Sequence, residues 1–536
     1  MTSLIQALAE SSVAELVAAW APALRWPLTS AYLLILLLVC IYGLHRYWLV
    51  WLYYRTRGRF PRARRRLADL PVVTVQLPMY NEDLVAERII EAACNIDYPP
   101  DKLEIQVLDD STDQSAHIAR QCARRMRDRG HDVSYIHRID RVGFKAGALD
   151  AGLKVAKGDL IAIFDADFVP RPSILKRTVH HFADPVIGMV QVCWDHLNRC
   201  TSMLTRAQAI FLDGHFVIEQ TARNRSGRWM NFNGTAGVWR KQAIEAAGGW
   251  QHDTLTEDMD LSYRAQLAGW KFIFLQRTRC PAELPPEINS FKTQQHRWTK
   301  GTVQSARKLL WPILTSDAPR RVKIEAFFHL TSPMVYLYVV LMTLLFFPAF
   351  FINMTVVERG SMAGVLFGVS LFTLACASAG TFYTVSQRER KRSTAAAILQ
   401  IPVLMSIGIG ISLNNARAAI EGLIGHDSPF VRTPKFNATD ADRSWRRGRR
   451  SVLPPMKFTM PLLEIFMGVY LVICIALAVT TAHENRSVVS VPFLILFAAG
   501  YWYVGLSSLS GIWRRPAPRA PAVEPAPIPA PESIKS

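Results

Sequence analysis

In "LIAIFDADFVP" (160–170) an apolar run stops at Asp165 and Asp167. Residues two apart on extended backbone face the same side, so the two carboxylates pair as oxygen ligands. Such hard donors suit Mg or Mn bridging a diphosphate. A turn or helix-cap role is the alternative for an isolated pair. Asp109 and Asp110 close a second apolar run before "STDQS". Ser111, Thr112 or Asp113 could each cap the helix expected over 113–128, which leaves at least one of the two preceding acids for nucleotide contact. In "VGFKAGALDAGL" (142–153), Lys145 stands where a helix begins. Backbone amides at a helix start and an ammonium both attract phosphate oxygens; a surface loop lysine is the competing reading.

Two further stretches carry chemistry. "TEDMDLSYRAQLAGW" (256–270) offers Thr256 as an N-cap, with Glu257 and Asp258 in the first turn. Dipole compensation alone accounts for those acids; Asp258 as a general base removing a proton from an incoming hydroxyl is the functional alternative. In "QQHRWTKG" (294–301), Gln294 and Arg297 share a helix face. Arginine pairs well with a diphosphate, and Trp298 presents a flat apolar plate of the kind sugars pack against. An interfacial Trp and Arg ahead of a membrane would look the same.

These residues need a scaffold. Over 70–300, short β-branched runs alternate with helix-like stretches, which predicts an α/β fold with a largely parallel sheet. "VVTVQL" (72–77), "LEIQVL" (103–108) and "LIAIF" (160–164) are expected as central strands buried on both faces, each followed at once by polar residues. In open α/β sheets ligands sit beyond the carboxyl ends of the strands. The chain has no GxGxxG after the first strand and no GxxxxGK[ST], so a nicotinamide Rossmann domain and a P-loop are unsupported. The acids at the strand ends point to a nucleotide held through its base, its ribose and a metal-bound diphosphate.

The chain of 536 residues exceeds one compact core, and half of it is hydrophobic, much of that in long blocks. Five blocks are predicted to span a membrane, at about 29–50, 326–351, 361–385, 458–481 and 490–513. In the first, Arg46 is expected to snorkel to the interface. Residues 4–24 and 395–425 are read as helices lying along the interface. The formal charge of +19 concentrates beside the spans, in "RTRGRFPRARRR" (55–66), "QRERKR", "SWRRGRR" and "RRPAPR". That placement favours a lipid bilayer over nucleic acid and puts 55–325 in the cytoplasm. Eight scattered cysteines form no CxxC pair and no zinc spacing. The Pro/Ala tail after 516 is expected to be disordered.

Taken in order, the motifs resemble the membrane-embedded processive enzymes of glycosyltransferase family 2. The family signature of an acid after the second strand, a DxD, a TED and a QxxRW reads here as Asp109/Asp110, Asp165/Asp167, "TED" (256–258) and "QQHRW" (294–298). "LPMYNE", "VLDDSTD", "GFKAGAL", "FNGTAGVWR" and "EDMDLSYRA" are most similar to the cellulose-synthase-like glucomannan and xyloglucan-backbone synthases. "FVRTPK" (Phe430, Val431, Arg432, Thr433, Pro434, Lys435) resembles the gating loop of cellulose synthases. Two features depart from those enzymes: one leading span where they have more, and no cyclic-di-nucleotide-binding domain after the last span.

The resemblance implies an α/β glycosyltransferase A-type domain (55–325), mostly parallel in its sheet, inserted in an α-helical membrane domain of about five spans plus interfacial helices. Around it lie a first segment and span (1–54), a span pair (326–385), an interfacial and gating segment (386–457), a second span pair (458–513) and the tail (514–536). It implies that Tyr80, Glu82, Asp109, Asp110, Lys145, Asp165, Gln294 and Arg297 hold the donor's nucleotide and diphosphate. Asp165 and Asp167 hold Mg or Mn. Asp258 acts as the base of an inverting displacement, with Thr256 and Glu257 beside it. Trp298 and "FNGT" (Phe232, Asn233, Gly234, Thr235) position the acceptor. The expected reaction passes a hexose from UDP-glucose or GDP-mannose to a growing β-1,4-glucan or mannan that crosses the membrane, with accessory export subunits as conceivable partners and a bacterial inner membrane as the location. The alternative is transfer of one sugar to a lipid such as diacylglycerol. A transporter is disfavoured by the scarcity of ionisable residues in the spans. A glycoside hydrolase needs neither a diphosphate cradle nor spans.

Overall fold

The computed structural model describes residues 12–356, 362–426, 431–441, 458–480 and 490–513. Strands form at the three β-branched runs: β1 Val73–Met79, β2 Leu103–Asp109 and, after β3 Val133–His137, β4 Leu160–Ile163. With β5 Ile187–His196, β6 Gly237–Arg240 and β7 Lys271–Ala282 they make one sheet of seven strands, ordered β3-β2-β1-β4-β6-β5-β7. Only β6 runs antiparallel to its neighbours, so the sheet is mostly parallel, as the α/β pattern predicts.

Period-2 alternation gives the sheet two apolar faces. Val73, Val75 and Leu77 of β1 pack with Ile89 and Ile90 on one side; Ile161 and Ile163 of β4 pack with Leu108, Leu149 and Trp239 on the other. Parallel register then aligns the strand ends: Met79 stands opposite Asp109, and Gln76 opposite Ile163. The polar residues after β1, β2 and β4 therefore emerge along one edge.

The longer helices among the described residues, in chain order, are α1 Ser12–Thr56, α2 Asp83–Cys94, α3 Ser115–Asp128, α4 Phe144–Val155, α5 Met203–Asp213, α6 Glu257–Leu267, α7 Ile288–Thr315, α8 Arg320–Thr331, α9 Met334–Val356, α10 Met362–Glu389, α11 Thr394–Gly410, α12 Ser412–Ile424, α13 Thr459–Thr480 and α14 Val491–Trp513. Among the described residues, α1 from Trp26, α13 and α14 are long and apolar enough to cross a membrane. The pairs α8/α9, bent by 56°, and α11/α12, bent by 45°, each meet that measure if taken as one span, giving up to five. The α8/α9 break falls at Pro333, which cannot donate a backbone hydrogen bond.

Three features differ from expectation. Residues from Ser12 onward join α1 as one continuous helix instead of a separate interfacial one. Residues 394–424, expected as one helix, form the bent pair α11/α12, and Leu404 and Ile407 of α11 pack with Val504 of α14. Arg46 does not reach outward but lines an internal cavity, described below. Residues 1–11, 357–361, 427–430, 442–457, 481–489 and 514–536, which include part of the expected gating segment and the Pro/Ala tail, lie outside the described residues.

One helix ties the two halves together. Lys292 of α7 forms an ion pair with Glu464 of α13 at 2.6 Å, both side chains fully buried. Asn289 donates to the Ser508 carbonyl of α14 at 3.1 Å, and Lys300 lies 3.4 Å from Glu421 of α12. A charge left alone in such a place costs far more than a surface pair returns. Lys292→Met is expected to destabilise the protein by about 3–5 kcal/mol in detergent unfolding, with Lys292→Met/Glu464→Leu recovering most of it; equal losses in both would show that the pair does not hold α7.

Candidate active site

The strand-end edge holds an enclosed cavity of about 80 Å³, lined by Lys145, Asp165, Asp167, Glu257, Asp258, Gln294, Arg297, Trp298 and Lys435, with Asn233, Gly234 and Thr256 also on its wall. Twelve residues singled out from sequence thus meet in one place, from six separate stretches of chain.

Asp165 follows β4 directly, and its backbone N–H donates to Thr235 Oγ1 at 2.8 Å. Lys145, on the first turn of α4, donates to Asp165 Oδ1 at 2.6 Å and to the Gly234 carbonyl at 2.8 Å. Burial alone would push the Asp165 carboxyl up, yet Lys145 and Arg432 together hold it below the usual carboxylate range. Lys435 donates to Asp167 Oδ2 at 2.7 Å. Each aspartate is thus neutralised by a lysine from a distant part of the chain.

Asp258 and Glu257 begin α6. Thr256 occupies the N-cap position, but its side chain does not cap; its hydroxyl meets Ser305 Oγ at 3.2 Å, because α7 packs against it there. Burial, and then the neighbouring Glu257 charge, push Asp258 up to about 7, with Lys145 and Arg297 pulling the other way. The Asp258 carboxyl also crowds Gly234, where an added Cβ would come within 3.0 Å of Oδ2. Gly234 has φ +78°, so both space and backbone require glycine. Phe144 (φ 48°) and Ala236 (φ 55°) also hold left-handed backbone beside the site, a conformation costly for residues with a side chain. Arg297 on α7 is half-buried, and desolvation lowers its pKa despite the facing Glu257, Asp165 and Asp258.

Other expected residues lie off the cavity wall. Asp109 Oδ2 accepts from the Tyr135 hydroxyl at 2.7 Å and Oδ1 from Ser111 N–H at 2.9 Å. Asp110 is gripped by Arg138 through two nitrogens, at 2.8 and 2.6 Å. Asp113 Oδ1 accepts from Ser115 N–H at the start of α3, so neither Asp109 nor Asp110 serves as that helix's cap. Tyr80 lies under the Arg141 guanidinium, 3.3 Å from the ring centre. Phe232 is fully buried against Trp239.

The segment 431–441 lies across the site. Arg432 pairs with Glu82 at 2.7 Å, and Phe436 N–H donates to Glu283 Oε1 at 2.8 Å. Arg88 reaches the Asp167 carbonyl at 3.3 Å and Asn437 Oδ1 at 2.5 Å. Phe430 lies outside the described residues. Glu283, which ends β7 and lines the cavity, was not among the expected residues; burial pushes it up to about 7. Its local sequence "AELPPE" carries no acid pair or cap pattern that would have marked it.

A second cavity of about 500 Å³ shares Asn233, Asp258, Gln294 and Trp298 with the first. It continues between α1, α7, α9 and α10, past Arg46, Tyr336 and Tyr383.

Asp165 and Asp167 suit a hard divalent cation, since both offer carboxylate oxygens on one rim. Among the described residues no three His, Cys, Asp or Glu side chains converge as a ready cage. A cation held there therefore needs oxygens from a bound phosphate to complete its shell, which is the common arrangement for Mg.

Residues 71–301 match the family model described as "Glycosyltransferase like family 2". The chain is 43% identical over 256 residues to Glucomannan 4-beta-mannosyltransferase 7 of Arabidopsis thaliana, covering 47% of this chain and 46% of that protein. It is 43% identical over 259 residues to Glucomannan 4-beta-mannosyltransferase 2 of the same plant, covering 47% and 48%. The chain spans about half the length of these curated relatives. A mannosyltransferase from Pyrobaculum calidifontis, solved in complex with GDP-Man and Mn2+, is similar in fold, with a TM-score of 0.50 at 20% identity over 76% of this chain and 100% of that one. With its mostly parallel sheet and its cavity at the strand ends, the segment 71–301 matches glycosyltransferase family 2 and has the A-type glycosyltransferase fold.

Proposed function

We propose that the chain is an inverting β-glycosyltransferase that passes a hexose from a nucleotide sugar to the end of a polysaccharide. The observation that carries this is that one cavity brings Asp258, a carboxyl pushed up by its surroundings, together with a cationic and acidic cradle of Lys145, Arg297, Asp165 and Asp167. GDP-mannose and UDP-glucose are the proposed donors, and the names of the curated relatives favour a mannosyl donor with a glucomannan product.

Lys145, Gln294 and Arg297 brace the diphosphate, and their charge favours its departure as an anion. Asp165 and Asp167 would hold Mg or Mn, which when bound neutralises part of the diphosphate charge. Asp258 takes the proton of the acceptor hydroxyl while that oxygen attacks the anomeric carbon from the side opposite the leaving oxygen. The new glycosidic bond forms as the bond to the diphosphate breaks, so the configuration inverts in one step. Asp110 and Tyr80 flank the nucleotide, while Asp109 holds the Tyr135 wall behind it. Trp298 stacks on the acceptor where the two cavities meet. The larger cavity between the helices is the proposed exit path of a neutral chain, with the catalytic domain on the cytoplasmic face. Arg432 and Lys435 close over the donor as the gating segment.

Protein in nanodiscs, given GDP-mannose or UDP-glucose with Mn2+ and a β-1,4-linked tetrasaccharide, is expected to extend the acceptor by several residues with nucleoside diphosphate release. A single sugar on an extractable lipid would replace the polymer reading. Asp258→Asn is expected to lower kcat by about 10²–10⁴-fold while nucleotide binding by calorimetry persists; transfer at the wild-type rate would remove Asp258 as the base.

The environment of Asp258 sets a pH dependence. Its protonated form cannot accept the acceptor's proton, so kcat/KM is expected to fall as pH drops through about 7. Glu257→Gln removes the charge that raises Asp258 and should move this acid limb to lower pH. A limb that stays in place in that variant belongs to another group.

A further inference from the structure

A π-helical turn, Gly214–Gln220, interrupts the helical segment that follows α5. Such turns are rare and often mark functional positions, because one inserted residue shifts which side chains face a neighbour. This one turns His215 and Gln220 toward the acceptor loop at Asn233.

Hydrogen bonding fixes the amide and ring orientations in the cluster, starting from a backbone carbonyl that can only accept. Gln220 Nε2 donates to the Asn231 carbonyl at 2.9 Å, so its amide orientation is set. The same nitrogen donates to Asn233 Oδ1 at 2.7 Å, which sets the Asn233 amide in turn. Asn233 Nδ2 lies 2.9 Å from His215 Nε2. Because that nitrogen of Asn233 is a donor, His215 Nε2 must accept, and the imidazole proton sits on Nδ1. His215 Nδ1 then donates to Glu219 Oε2 at 2.9 Å, and Arg223 holds Glu219 at 3.3 Å. The Asn233 backbone is fixed separately, donating to Gln191 Oε1 at 3.0 Å.

Asn233 borders both cavities, as does Asp258, so it stands where an acceptor must lie for its hydroxyl to meet the base. One Nδ2 hydrogen is used on His215 and the second remains for a sugar oxygen. We propose that His215 is a positioning residue for the acceptor: with Gln220 it locks the Asn233 amide in the one orientation that presents its nitrogen to the acceptor sugar. This rests on the polysaccharide-transferase reading above, and it adds a specificity element that acts on acceptor and not on donor.

The test uses full-length protein in nanodiscs with GDP-mannose or UDP-glucose, Mn2+ and β-1,4-mannotetraose or cellotetraose. His215→Phe keeps the ring volume but removes the acceptor atom; His215→Gln returns an acceptor near the Nε2 position. The expected result for His215→Phe is an acceptor KM raised about tenfold, with donor KM, nucleotide affinity and thermal midpoint unchanged. His215→Gln should restore the acceptor KM. If His215→Phe does not fold, His215→Ala, which demands no ring space, gives the same reading. An unchanged acceptor KM, or donor and acceptor KM rising together, overturns the inference while transfer by the wild type still stands. No transfer by the wild type from either donor overturns the transferase reading and this inference with it.

Discussion

The site depends on one electrostatic constraint: several carboxylates must share a small, largely buried space. Asp165, Asp167, Glu257 and Asp258 line the same cavity, with Glu283 and Glu82 close behind. Isolated charges in such a space would neutralise by taking up protons. Here cations arrive from several sides: Lys145 from α4, Arg297 from α7, and Arg432 and Lys435 from the segment after α12. The pairing is uneven. Asp165 has a lysine in contact and stays below its ordinary pKa, while Asp258 has another acid as its neighbour and rises to about 7. Two aspartates in one cavity thus differ in how readily they hold a proton.

That arrangement also dictates the architecture around it. Asp165 and Asp167 come from beyond a strand end, Asp258 and Lys145 from helix starts, and Arg297 from α7, which is itself anchored to α12, α13 and α14. A helix clamped by buried ion pairs cannot drift, so Arg297 and Trp298 keep their place relative to the sheet. Left-handed backbone at Phe144 and Ala236 and the φ of Gly234 show where the chain is bent to bring Lys145 and the acceptor loop close.

The sheet and the main site were legible in the sequence because their signals are local. Buried parallel strands read as continuous β-branched runs, and the acids stand just after them, so β1, β2 and β4 and the strand-end place of Asp165 follow from adjacency, while the grouping of Asp165 with Asp258 came from the resemblance of the ordered motifs to glycosyltransferase family 2. What was not legible depends on long-range contact. Glu283 carries no local pattern and becomes a site residue only when β7 ends beside Asp167. Thr256 has the type and position of a cap, but a packed neighbour on α7 takes its hydroxyl instead. Asp109 looks like a ligand by position and is held by Tyr135, 26 residues away. Arg46 follows the usual pattern of an interfacial arginine, yet the cavity between the helices gives it a polar interior to face.

The central claim is that donor grip and proton chemistry reside on separate acids. A crystal structure of the protein soaked with Mn2+ and GDP, recorded at the manganese absorption edge, tests this most directly. The account predicts an anomalous peak bound by Asp165 or Asp167 and by diphosphate oxygens, with Asp258 outside the metal's reach and open toward the larger cavity. A manganese ion coordinated by Asp258, or a diphosphate bound away from Lys145 and Arg297, would contradict it.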